Sequence, residues 1–266
     1  MKNTIEVIKP APVINIPEFH KAFGGRDGAQ IPKNSQGHPL HYEFVALPGM
    51  HFQVEEILPR HHHRIYRIST TSYPSPKLYI DSRFVKPGKG VKRKMPALEE
   101  IQRRMEELVG TAYVQGGNWS RGIPELLHLY PPRGSIDEKM KILWMMKGVD
   151  AAGLLYEATD GLSPRRMDQL IHFGTGLAIE GKRADEILSL LKPMDMVVWP
   201  GHVWFVLDES QSIESKPGVG VIKENLSKCL EKTCKMRKGV NAWEHSLDPD
   251  KYFVIRRLEV KTKLGS

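Results

Sequence analysis

The nine residues Gly148-Val149-Asp150-Ala151-Ala152-Gly153-Leu154-Leu155-Tyr156 restrict the folding of this chain more than any other stretch. An apolar approach, an acidic residue, two small residues, a glycine and an apolar run describe a loop that turns sharply into a buried helix, with Asp150 placed to cap it. Position 151 then falls in the first helical turn. Unpaired backbone N–H groups and the helix dipole favour an anion there and depress the pKa of a thiol, which makes the turn a seat for a nucleophile. Alanine has nothing to ionise, so these residues alone also fit an ordinary alanine-rich helix start.

Three further blocks accompany this one. Tyr113-Val114-Gln115-Gly116-Gly117 lies upstream, while Leu191-Lys192-Pro193-Met194-Asp195-Met196-Val197-Val198-Trp199 and Gly201-His202-Val203-Trp204-Phe205-Val206 lie downstream. In this order the four resemble the NlpC/P60 family of papain-like cysteine peptidases, whose members carry Y-x-x-G-G, D-C-S-G, L-x-P-G-D-L-V-F and G-H-V-G-I. The resemblance covers residues 110 to 222. It implies an α+β fold, a papain-like NlpC/P60 domain in which a helix packs on a central antiparallel sheet.

The resemblance also assigns roles. His202 would be the general base and Glu214 the group that orients it. The oxyanion would be received by the backbone N–H of residue 151 and by the Tyr113 hydroxyl. Asp150 matches the residue that recognises the free amine of a wall stem peptide. Ala151 stands where the family has its catalytic cysteine, and Ala152 replaces a serine that shares in substrate recognition. Met194 takes the place of a glycine, which puts the turn type there in question. Trp204 takes the place of a small residue. Strand alternation sets it on the face of His202, where it either lines the pocket and stacks on substrate or belongs to the core.

The implied activity is that of a bacterial cell-wall cysteine hydrolase cleaving peptidoglycan stem peptides at the γ-D-glutamyl bond to a diamino acid, with no metal or cofactor. The chain as written is expected to be inactive, its nucleophile having been replaced. The alternatives are an N-acetylmuramoyl-L-alanine amidase and a natural pseudoenzyme that binds peptidoglycan without cutting it.

A formal charge of +8 and a pI near 9.3 favour an anionic partner, whether nucleic acid, acidic lipid or bacterial wall. The resemblance selects peptidoglycan and leaves no role for nucleic acid. No run is long and apolar enough for a transmembrane segment, and the first residues lack the core of a secretory signal. The expected location is therefore the periplasm or cell wall if an export signal was trimmed, and otherwise the cytoplasm. Leu264-Gly265-Ser266 reads as a vector remnant. Cys229 and Cys234 make a poor zinc signature and read as reduced surface thiols. His61-His62-His63 reads as an exposed loop, because adjacent residues cannot all face one ion.

In chain order, residues 1–40 read as a loosely structured arm. Residues 41–90, short alternating runs broken by turn residues, read as a small all-β barrel resembling the bacterial SH3-like module. Pro87 to Lys94 reads as a basic linker to the catalytic domain, 96–262. Within that domain Leu98, Ile101, Met105 and Leu108 predict a helix stopped by Gly110. Ser135-Ile136-Asp137-Glu138 predicts a capping box ahead of an inserted helix.

Overall fold

The computed structural model describes residues 4–88, 93–244 and 246–259. The middle of the expected linker, residues 89–92, and the last residues of the chain lie outside these. Seven strands form a first antiparallel sheet: β1 (Thr4–Val7), β2 (Ala11–Ile14), β3 (Tyr42–Ala46), β4 (His51–Pro59), β5 (Arg64–Ser69), β6 (Leu78–Asp81) and β7 (Val85–Pro87). Their order is β3-β2-β6-β5-β4-β1-β7. The path begins at β3 and ends at β7, and no ladder joins the two among the described residues.

This overturns the expectation of a loose arm over residues 1–40. β1 pairs with both β4 and β7, and β2 with both β3 and β6. The short helix α1 (Phe19–Ala22) follows. The reason lies in the small apolar pieces of the arm. Val7, Ala11, Val13 and Ile14 are fully buried, so each brief strand gains its place by filling the sheet's interior with Phe44, Phe52, Ile65 and Ile80.

The chain then forms α2 (Leu98–Glu107), β8 (Asn118–Trp119), α3 (Leu126–Leu129), α4 (Glu138–Trp144), β9 (Gly148–Val149) and α5 (Ala151–Ala158). In α2 the expected stripe is buried through Ile101, Met105 and Leu108, and Gly110 follows at φ 86°. The cap of α4 differs from expectation. Asp137, not Ser135, is the N-cap, its carboxylate accepting from the Met140 N–H at 2.7 Å. A carboxylate one residue before Glu138 reaches that donor directly, so the box at Ser135 is not used.

Residues 118–156 tie the first sheet to the second half of the chain. Ile123, Leu126, Tyr130, Trp144, Met146 and Tyr156 share its apolar core. At the edge strand β3, Asn118 imitates a neighbouring strand. Its Nδ2 donates to the Val45 carbonyl at 2.8 Å, and its Oδ1 accepts from the Val45 N–H at 2.7 Å, all of it buried. Truncating Asn118 to alanine strands two buried backbone groups, so Asn118→Ala is expected to lower stability by about 2 kcal/mol. A urea midpoint unchanged from that of the parent would show the strand edge to be solvated instead.

The second sheet holds β10 (Thr175–Gly176), β11 (Asp195–Trp199), β12 (His202–Val206), β13 (Gln211–Lys216), β14 (Gly220–Asn225), β15 (Lys238–Gly239) and β16 (Tyr252–Arg257). The order β10-β16-β11-β12-β13-β14 is antiparallel throughout, and β15 runs parallel beside β16. Helices α6 (Met167–Leu170), α7 (Ala184–Leu188) and α8 (Leu226–Met236) complete the chain.

Alternation divides the sheet's residues between two cores. Met196, Val198, Val203 and Phe205 pack with α5, while Val197, Trp204 and Val206 pack with α8. The result is the α+β arrangement expected, one helix laid on an antiparallel sheet. Met194, whose turn type the sequence put in question, adopts a left-handed conformation at φ 68° while its side chain is buried. Among the described residues no helix is long and apolar enough to cross a membrane.

Candidate functional site

The first turn of α5 is held from three directions by one carboxylate. Asp150 Oδ1 accepts from the Gly153 N–H at 2.8 Å, the capping bond read from the sequence. Its Oδ2 accepts from the Gly116 N–H at 3.0 Å, binding the Tyr113–Gly117 loop to the helix. Arg165 closes the arrangement with a bidentate pair, Nη1 to Oδ1 at 3.0 Å and Nη2 to Oδ2 at 2.6 Å. Both side chains are buried. Gly153 is required here because a Cβ would collide with the Gly117 carbonyl.

Asp150, expected as an amine receptor, is thus also a structural anchor of the helix start. Both of its oxygens are engaged by protein donors, and its charge is balanced by Arg165. Tyr113 is half-buried on the same loop, its hydroxyl donating to the Gln115 side-chain carbonyl. Burial, reinforced by the charge of Asp150, pushes its phenol up to about 12, so it stays protonated and able to donate at neutral pH.

A two-residue turn with Gly201 at φ 94° brings His202 opposite Trp199 at the start of β12. His202 Nε2 lies 2.6 Å from Glu214 Oε2 on β13. Glu214 Oε1 in turn lies 2.8 Å from the ammonium of Lys216, which also reaches Glu224 at 2.5 Å. Burial opposes ionisation of Glu214, but the hydrogen bonds from His202 and Lys216 outweigh it and hold the carboxyl well below the usual carboxylate range. An ionised Glu214 fixes the imidazole's orientation and leaves Nδ1 as its other working atom.

A cavity of about 570 Å³ collects Tyr113, Asp150, Ala151 and Ala152, together with Arg165, Gly201 and several residues of the first-sheet region, among them His38, Glu43 and Tyr73. The Tyr73 hydroxyl donates to Glu43 at 2.6 Å. His202 and Glu214 are not part of the lining. They adjoin it through Gly201, and Ser215, next to Glu214, donates from Oγ to the Val149 carbonyl at 2.8 Å just before α5.

Trp204 is placed elsewhere. It is 1% exposed among the side chains under α8, its Nε1 donating to Thr233 Oγ1 at 3.2 Å, so it is a core residue and not a substrate contact. Its side chain has the volume to fill the gap beneath α8 that a small residue would leave.

Arg165 is the residue that reading the sequence missed. It falls in Ser163-Pro164-Arg165-Arg166, which signals only a helix start, and its partner lies fifteen positions away. Cys229 is buried rather than a surface thiol. Burial, with the nearby charge of Glu214, pushes it up to about 11, which makes it no substitute nucleophile. Glu214, Glu224 and Cys229 place ligand atoms within 4.8 Å of one another, but Lys216 already bridges both carboxylates.

No family model and no curated protein sequence matches this chain. Among solved structures it is similar to the peptidoglycan hydrolase RipB of Mycobacterium tuberculosis, with 19% identity, a TM-score of 0.36, and coverage of 61% of this chain and 65% of that one. An NlpC/P60 family protein from Bacillus cereus has 11% identity and a TM-score of 0.35, over 96% of this chain and 63% of its own. RipD of M. tuberculosis, described as a non-catalytic NlpC/P60 domain protein adapted to peptidoglycan binding, has 16% identity and a TM-score of 0.35, over 60% of this chain and 97% of its own. The chain thus spans a little under two thirds of the length of RipB and of the B. cereus protein.

Proposed function

We propose that this cavity binds the peptide stems of bacterial peptidoglycan as an NlpC/P60 cysteine hydrolase does, and that alanine at position 151 keeps it from cutting them. The observation that carries the reading is the meeting, in one cavity, of the α5 first turn with the Tyr113 hydroxyl, while a His202–Glu214 pair adjoins the same wall. A carbonyl laid on residue 151 would find the helix's free N–H groups and the Tyr113 loop beside it, the donors an acyl-transfer oxyanion requires. His202, oriented by Glu214, is the base a thiol at 151 would need and, once protonated, the acid for the leaving amine. The chain as it stands binds and releases.

The bond presented would be the γ-amide after D-glutamate, with the muramoyl–L-alanine amide as the alternative. Glu43 and Tyr73 bring the first-sheet region into the cavity, which supports its reading as an SH3-like wall-recognition module that also shapes the peptide site. The place of action would be the bacterial periplasm or wall.

Calorimetric titration of the chain with L-alanyl-γ-D-glutamate tests this. Saturable binding is expected with a Kd of about 0.1–1 mM, as suits a ligand of this size. The α-linked L,L-dipeptide should bind more weakly, and the chain should co-sediment with purified sacculi. Absence of heat with every stem peptide and absence from the sacculi pellet would sink the proposal. Salt-sensitive, sequence-blind association with DNA as the sole interaction would leave the positive charge as its whole meaning.

A further inference from the structure

Three charged side chains meet on one face of the β13–β14 hairpin, behind the imidazole of His202. Alternation sets Glu214 and Lys216, two positions apart, on the same side of β13. Glu224 stands opposite Ser212 on β14, which brings it to that side as well. The Lys216 ammonium sits between the two carboxylates, 2.8 Å from Glu214 Oε1 and 2.5 Å from Glu224 Oε2. Burial works against the ammonium, but its bonds to both carboxylates outweigh that and hold Lys216 charged. Cys229 closes the group from α8, and burial keeps its thiol neutral.

Depth makes the ammonium necessary. The Glu214 side chain is 3% exposed, whereas Lys216 and Glu224 keep some contact with water. One oxygen of Glu214 and one of Glu224 lie within 4.8 Å of each other, so without Lys216 two like charges would face one another at the buried end. Glu214 would then take up a proton or turn away from His202. No neighbour stands ready to replace it. Glu214 is the one hydrogen-bond partner of the His202 ring among the described residues. Trp199 packs against the imidazole at a centroid distance of 5.2 Å and offers no acceptor, and the Arg237 guanidinium stacks on Trp199 in turn, at 4.8 Å.

We infer that Lys216 is a positioning residue of this site: anchored on Glu224, it fixes the Glu214 carboxylate against His202 Nε2 and so leaves Nδ1 as the atom that takes up the proton. The inference rests on the reading of His202 as the base and deepens it. The machinery then extends from β12 through β13 to Glu224 on β14. Two carboxylates and one ammonium leave the cluster one negative charge in excess, which the imidazolium formed on proton uptake cancels.

The titration of His202, followed through its ring ¹⁵N resonances in the chain as it is, tests this without any substrate. In the parent the neutral ring is expected as the Nε2–H tautomer, donating to Glu214. Lys216→Met should move the titration midpoint to lower pH and mix the two tautomers, because the carboxylate no longer faces the ring. Loss of a positive charge acting through space alone would move the midpoint to higher pH. A midpoint that rises or stays in place would therefore overturn the inference. Lys216→Gln, suited to a partly exposed position, carries the same test should the methionine variant not fold. Lys216→Arg, whose guanidinium can span both carboxylates, should restore the parent titration. Lys223→Met removes a charge from the opposite face of β14, where Lys223 pairs with Glu106, and should leave the midpoint unmoved; an equal shift there would reduce Lys216 to general surface charge.

A kinetic arm follows once a thiol stands at position 151. Adding Lys216→Met to Ala151→Cys should lower kcat by roughly tenfold or more with KM unchanged, the pattern of a displaced base and not of a damaged peptide site. A rise in KM with kcat retained would overturn the inference. An Ala151→Cys chain that forms no product counts against the hydrolase reading alone, and the His202 titration still decides the part played by Lys216.

Discussion

Replacing Arg165 with alanine is expected to destabilise the protein by about 3–5 kcal/mol, because it leaves the Asp150 carboxylate buried with no counter-charge. The damage should not stay local. Asp150 simultaneously caps α5 through Gly153 and anchors the glycine loop through Gly116, while Arg165 Nη2 also reaches the Gly117 carbonyl at 3.3 Å. Three segments that line the cavity are therefore held by one ion pair. Urea denaturation of Arg165→Ala, Asp150→Ala and the double variant would read the effect as a mutant cycle. Each single change should be severe and the double change far less than their sum, since removing the second charge relieves the first. Two additive single effects would mean that the residues act separately. Loss of peptide binding in Arg165→Ala at temperatures where it is still folded would show the pair shaping the cleft as well as stabilising it.

Restoring a thiol at position 151 is expected to have the largest effect on function. Ala151→Cys should release product from stem peptides at roughly 10³ times the rate of the alanine chain or faster, because a nucleophile is supplied where a base and oxyanion donors already stand. The new thiol sits at the N-terminus of α5, so its pKa should fall below the ordinary value of about 8.5, measurable by the pH dependence of alkylation. Mass spectrometry then distinguishes the reactions. An L-Ala-D-Glu fragment identifies the endopeptidase, and a peptide beginning at L-alanine, freed from muramic acid, identifies the amidase. A thiol that titrates low but yields no product would establish a dedicated binding protein. The structural reason would then be sought in Ala152 and in the Tyr113 hydroxyl, which is already committed to Gln115.

Much of this was legible along the chain because the determining interactions are short in sequence. Asp150 and Gly153 are three positions apart, so a cap could be read directly, as could the buried helix behind it. The apolar stripe of α2 and the alternating runs of β11 and β12 likewise follow from periodicity alone. Pairing between His202 and Glu214 spans one hairpin, near enough for the motif order to propose it.

What the sequence settled by itself was local: a capped helix start with alanine at its first turn, strands of two-residue period, and the histidine and glutamate that flank one hairpin. Tertiary structure alone decided the rest. It drew β1 and β2 from a weakly patterned N-terminal segment into the first sheet, since four-residue strands are defined only by the neighbours that bury them. It sent Trp204 into the core beneath α8, because which face of β12 meets which helix depends on how the layers stack. And it brought Arg165 to Asp150, whose two oxygens it occupies, because an ion pair formed between a helix start and a distant loop has no period or motif to announce it.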